Sequence, residues 1–79
     1  MANLPTIEDA ELAILRHISS LNIRGGEIFN AMIMKIELQK KGFSSTEIDP
    51  AMDNLFQKGF FEAGTGPFMK LTDAGYKAL

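Results

Sequence analysis

The stretch from Ser44 to Thr72, SSTEIDPAMDNLFQKGFFEAGTGPFMKLT, allows few local structures. Ser44 is followed three residues later by Glu47, the capping-box pairing in which each side chain satisfies the other's orphan amide. Ile48, Ala51, Met52, Leu55 and Gly59 are then spaced three and four apart, which puts them on one helical face. Gly59 suits the left-handed position just past a helix end. Phe60 and Phe61 open an extended run, Gly64-Thr65-Gly66 turns it, and Phe68, Met69 and Leu71 carry it back. The rest of the chain must pack around a helix that stops at a glycine and runs directly into a hairpin.

Upstream, two more helices are expected. Residues 1–5 read as a frayed end. Thr6 reads as an N-cap, with Glu8 and Asp9 in the first turn where negative charge meets the helix dipole. Ile7, Ala10, Ile14, Ile18 and Leu21 form the stripe of a helix of roughly four turns, leaving Leu12 opposite it and exposed. Gly25-Gly26 breaks the chain, and Ile23 is the candidate for a short third strand. Glu27 to Lys41, stopped by Gly42, reads as the second helix. Its broad apolar face is Ile28, Phe29, Met32, Ile33 and Ile36, and a separate stripe, Met34 and Leu38, lies elsewhere on it. Phe43 sits where a hydrophobic staple belongs. Pro50 bends the third helix or marks its true start, with a separate turn over 45–48. Met52, Leu55 and Phe56 are expected to be buried in either case. Thr72 caps a short final helix through Ala78, with Tyr76 and Leu79 packing back. The expected core is Ile14, Ile18, Ile33, Ile36, Ile48, Met52, Leu55, Phe61 and Leu71.

A chain of 79 residues is expected to form one domain over 1–79, and at this size it buries only about 60% of its unfolded surface. No cysteine is present, so neither disulfide nor thiolate metal site staples it. Dense helix packing or oligomerisation must then supply stability. No apolar run approaches the roughly 20 residues of a membrane span, and MANLPTIEDAE lacks the basic, then apolar, pattern of a signal peptide. A cytoplasmic protein is expected. The net charge of −2 weighs against nucleic acid, although a net value can hide a local basic patch.

With these elements in order, the chain resembles the winged helix-turn-helix domains of bacterial and archaeal regulators, such as the MarR-like and PadR-like families. The residues that carry the resemblance are Ser44, Glu47, Ile48, Ala51, Met52, Leu55, Lys58, Gly59, Phe60 and Phe61, then Leu71, Thr72, Gly75 and Leu79. The resemblance implies a mainly α fold with a small β-hairpin (α+β): three helices, a wing and a short C-terminal helix. It also implies a DNA-binding transcriptional regulator. The third helix would enter the major groove and present Ser45, Thr46, Asp49, Asp53, Asn54 and Gln57. The wing would offer Thr65 and Lys70.

The residues depart from that chemistry. Helices that read DNA carry Arg or Lys for phosphates and guanine edges. Between Ser44 and Gln57 there is no basic residue, and Glu47, Asp49 and Asp53 are acidic. The candidate phosphate contacts lie elsewhere, at Arg24, Lys35, Lys40, Lys41 and Lys58. A second expectation is therefore a protein–protein interaction module whose acidic third helix faces another protein. A continuous basic stripe through Lys35, Lys40, Lys41 and Lys58 would favour DNA; a negative third-helix face without it would favour protein. The Met34/Leu38 stripe is either a second buried face or, with Leu12, a homodimer seam. His17 stands alone, so no metal site is read. Ser44 is explained by capping, and the glycine pairs lack the Lys-Ser/Thr sequel of a phosphate loop. No catalytic residue and no cofactor are expected.

Overall fold

A computed structural model describes residues 4–79. Residues 1–3 of the expected frayed end lie outside them; Leu4 is 87% exposed. The elements are α1 (Ile7–Ser20), β1 (Ile28–Asn30), α2 (Ala31–Lys40), α3 (Ser45–Gln57), β2 (Phe61–Ala63), β3 (Phe68–Leu71) and α4 (Asp73–Lys77). The three strands form one antiparallel sheet in the order β1-β3-β2.

Local chemistry sets most boundaries. Thr6 and Asp9 close a reciprocal capping box at α1, each backbone amide donating to the other's side chain at 3.0 Å. At α3 the Glu47 carboxylate accepts from the amide and the hydroxyl of Ser44. Both Gly42 and Gly59 adopt positive φ, +103° and +80°, conformations that side-chain-bearing residues rarely take. At α3 the Gly59 amide donates to Phe56 O and the Phe60 amide to Leu55 O, the paired bonds of a Schellman stop. The α3 helix runs through Pro50 as one element, with no separate turn over 45–48.

The core joins the helices to the inner face of the sheet. Ala10, Ile14 and Ile18 of α1, Met34 and Leu38 of α2, and Ile48, Ala51 and Leu55 of α3 are buried with Phe29, Phe61 and Leu71 of the strands. The rings of Phe29 and Phe61 meet edge to face, with centroids 5.2 Å apart, and so couple the two outer strands. Helix α1 packs chiefly on α3.

Several expectations are corrected. The second helix begins at Ala31, not Glu27, because Ile28–Asn30 pairs with Phe68–Lys70 of β3. Asn30, taken for a helix interior residue, is the N-cap and accepts from the Ile33 amide at 3.0 Å. The third strand is therefore β1, and Ile23 packs against the core from a loop. The faces of α2 are reversed. Met34 and Leu38 are fully buried, whereas Ile33 and Ile36 are 54% and 46% exposed. A homodimer seam at Met34 and Leu38 is excluded, because those side chains fill the protomer's own interior. Leu12 is exposed, as its position on α1 implies. Ile7 and Leu21, at the ends of the α1 stripe, and Phe56, on the flank of α3, are about 40% exposed, and Met52 is only partly buried. Tyr76 and Leu79 are also largely exposed and line a surface hollow beside Ile23 and Arg24.

Candidate functional site

The helical repeat of α3 places Ile48, Ala51 and Leu55 inward, so Thr46, Asp53 and Gln57 form the row directed away from the core. All three are exposed. Asp49 lies to one side of this row and Asn54 to the other. Of the expected face, Ser45, Thr46, Asp49, Asp53, Asn54 and Gln57 all stand at the surface.

Each flank of the row is tied down by a neighbouring helix. On the α2 side, Lys35 Nζ lies 2.9 Å from Asp49 Oδ1, and Gln39 Nε2 donates to Ser45 Oγ at 3.5 Å. On the α1 side, Glu11 receives Asn54 Nδ2 at 3.3 Å and Lys58 Nζ at 3.4 Å. In the row itself, Gln57 Nε2 donates to Asp53 Oδ2 at 3.2 Å. Asp53 has no cation within ion-pair distance among the described residues. Glu47 is held below its ordinary carboxylate value, first by the Ser44 hydroxyl and then by the Ser44 amide, because both hydrogen bonds favour the charged form.

Three of the five candidate phosphate contacts are paired with acids. Lys35 is paired to Asp49, Lys58 to Glu11, and Lys40 to Glu37 at 3.4 Å. Lys41 stands with Arg16 around a small hollow against α1 that Leu12 and Phe43 also line. On the last turn of α1, burial and then Lys41 lower the pKa of His17, while Glu37 opposes them. Arg24 sits in the loop before β1, its amide donating to Glu27 Oε1 at 2.7 Å. Three of the five, Lys35, Lys40 and Lys58, thus each face an acid, and none of the five lies within Ser45–Gln57 of α3.

The hairpin is equally poor in positive charge. Gly64 N donates to Phe68 O, and Phe68 N to Thr65 O, both at 3.1 Å, which leaves Thr65 at the tip with no charged neighbour in the turn. Lys70 lies on the central strand, between Ile28 and Glu62 in register, on the outer face of the sheet. The base of the hairpin is fixed to α2 by the Ala31 amide, which donates to Pro67 O at 2.8 Å.

Between α2, α3 and the hairpin is a hollow of about 300 Å³ whose lining includes Met32, Met52, Pro67 and Met69, with Lys35 and Asp49 at its edge. It meets α3 at Ile48, Asp49 and Met52 and has room for an apolar side chain; a second hollow, lined by Leu4, Pro5, Ile7 and Thr46 among others, abuts the start of the helix. Glu11 and the methionine hollow escape sequence reasoning. Glu11 meets Asn54 and Lys58 across 43 and 47 residues, and no local pattern connects them.

No group of three or more His, Cys, Asp or Glu side chains that could hold a metal occurs among the described residues. No helix there is long and apolar enough to cross a membrane. Comparison of the chain with protein-family models, with curated proteins and with solved structures gives no match in any of the three.

Proposed function

We propose that this chain is a winged-helix domain used as a protein-interaction module, and that α3 with its methionine hollow receives a basic segment carrying an apolar anchor. The winged-helix reading is supported by element order: a short strand before the second helix, a hairpin directly after the third, and a sheet ordered β1-β3-β2. Fold alone does not choose the partner. The observation that carries the choice is the front of α3. It has no cation of its own, Asp53 stands uncompensated, and the lysine reaching it from α2 is engaged by Asp49.

DNA-binding regulation is the competing reading, favoured by the element order itself. Affinity for duplex DNA rests on neutralising phosphates, and this surface offers acids in their place. A labelled lysine-rich peptide with one leucine anchor, titrated in parallel with random duplex DNA, separates the two. The peptide is expected to bind more tightly and to weaken with Asp53→Lys. Duplex binding in preference to the peptide would overturn the proposal.

A further inference from the structure

Leu12 and Arg16 are four residues apart on α1 and stand one above the other on its surface. Leu12 is 49% exposed. The turn at Gly42 reverses the chain after α2, closed by the Gly42 amide on Gln39 O and the Phe43 amide on Leu38 O, both at 3.1 Å. It brings Lys41 and Phe43 to that face of α1. The two pieces enclose a hollow of about 280 Å³, with Leu12, Ala13 and Phe43 as its apolar part and Arg16, Lys41 and Asp9 as its charged part. No lining residue is shared with the methionine hollow beside α3.

The charge here is not balanced within the domain. Neither Arg16 nor Lys41 has an ion-pair partner among the described residues. The acids nearby are taken: Asp9 Oδ2 accepts the Thr6 amide at 3.0 Å in the α1 capping box, and Glu37 holds Lys40. His17, next to Arg16 in sequence, is lowered by burial and then by Lys41, so the Lys41 charge is felt at this part of α1. An apolar floor between two unengaged cations fits carboxylates that flank one apolar side chain. The guanidinium of Arg16 can take a carboxylate through two parallel hydrogen bonds. A basic segment is repelled, a neutral one leaves both cations without a partner, and a phosphate backbone has nothing apolar to place on Leu12 and Phe43.

We infer that the hollow between α1 and the Gly42 turn is a second docking site, which takes an acidic peptide segment through one apolar side chain set on Leu12 and Phe43 and carboxylates set on Arg16 and Lys41. Its ligand is opposite in charge to the one proposed for α3, so the two readings succeed or fail separately.

Three probes are titrated against the full chain by fluorescence anisotropy: a labelled peptide of aspartate and glutamate with one central leucine, the same peptide with serine for that leucine, and random duplex DNA. The leucine peptide is expected to bind most tightly and to weaken with added salt. Arg16→Gln combined with Lys41→Gln is expected to weaken it roughly three- to tenfold, as loss of two exposed ion pairs does. Lys70→Gln combined with Lys77→Gln removes the same charge from the sheet and α4, and is expected to change little. Leu12→Ser alters no charge; it is expected to weaken the leucine peptide and to leave the serine peptide as it was. Circular dichroism reports folding, and Leu12→Gln replaces Leu12→Ser if that variant unfolds. Absence of saturable binding, equal affinity of the two peptides, or equal loss in the two charge pairs overturns the inference. So does duplex DNA that binds more tightly than the peptide and is lost with Arg16 and Lys41. Self-association that both Asp53→Lys and Arg16→Gln dissociate in sedimentation would make the occupant a second copy, and overturns it as well.

Discussion

Lys35 Nζ stands 2.9 Å from Asp49 Oδ1, so the lysine of α2 that reaches the third helix is already engaged by an acid of that helix. Both side chains are partly in water, 35% and 61% exposed, and exposed pairs contribute about 0–1 kcal/mol. Asp49→Asn is therefore expected to leave the melting temperature within a few degrees of wild type. It should raise affinity for random duplex DNA, because it removes one negative charge and releases a lysine. A large loss of stability would show that the pair is structural rather than a screen on the surface.

The orientation of α2 is testable by size alone. Met34→Ala is expected to cost about 2–5 kcal/mol, as deletion of a buried side chain does, while Ile36→Ala should cost about 1 kcal/mol or less in the monomer. Urea unfolding of both variants at low concentration measures this. Equal losses would contradict the reversed faces.

That reversal marks where the sequence stops being informative. The capping boxes at Thr6–Asp9 and Ser44–Glu47, the stop at Gly59 and the hairpin turn are contacts within a few residues, and local pattern locates them. In α2, apolar residues occur on both sides, so periodicity alone cannot say which side faces the core. The choice is made by β1. Once Ile28–Asn30 pairs with β3, Asn30 becomes the cap, and the phase of the helix that follows is set with Met34 and Leu38 inward. The exposed positions of α3 were legible from spacing. Their partners were not, because Lys35 and Glu11 arrive from 14 and more than 40 residues away.

Gly75 of α4 is buried against the start of β2. A Cβ at this position would lie 2.2 Å from Phe60 O and 2.7 Å from Leu71 Cδ1. Gly→Ala inside a helix ordinarily stabilises by about 1 kcal/mol. Here Gly75→Ala is expected to destabilise, read as a lower denaturation midpoint, because backbone must move. Thr72→Val should also cost about 1–2 kcal/mol, since Thr72 Oγ1 accepts from Gly75 N at 3.0 Å and donates to Gly59 O at 2.5 Å.

Two groups give stability a pH dependence of the same sign. His17 is lowered from its ordinary 6.5, by burial first and by Lys41 second, with Glu37 opposing. The unfolded chain then binds more protons than the folded one as pH falls below about 6.5, so stability declines there. Glu47 is lowered from 4.5 by the Ser44 hydroxyl and amide, so its contribution is present above that value and is lost as pH falls further. His17→Gln is expected to flatten the decline between pH 7 and the folded-state value, and Glu47→Gln the acid limb. Unchanged slopes in thermal melts would contradict these assignments.

The central claim, that the front of α3 is built against phosphate rather than for it, is tested most directly by titrating wild type and Asp53→Lys against random duplex DNA at two salt concentrations. Each phosphate neutralised contributes about −0.9 to the slope of log affinity against log salt. Wild type is expected to bind weakly with a shallow slope. Asp53→Lys should bind more tightly and more steeply, since it removes a repulsion and adds a contact. Tight wild-type binding with a steep slope, unchanged or reduced by Asp53→Lys, would contradict the account and return this surface to DNA.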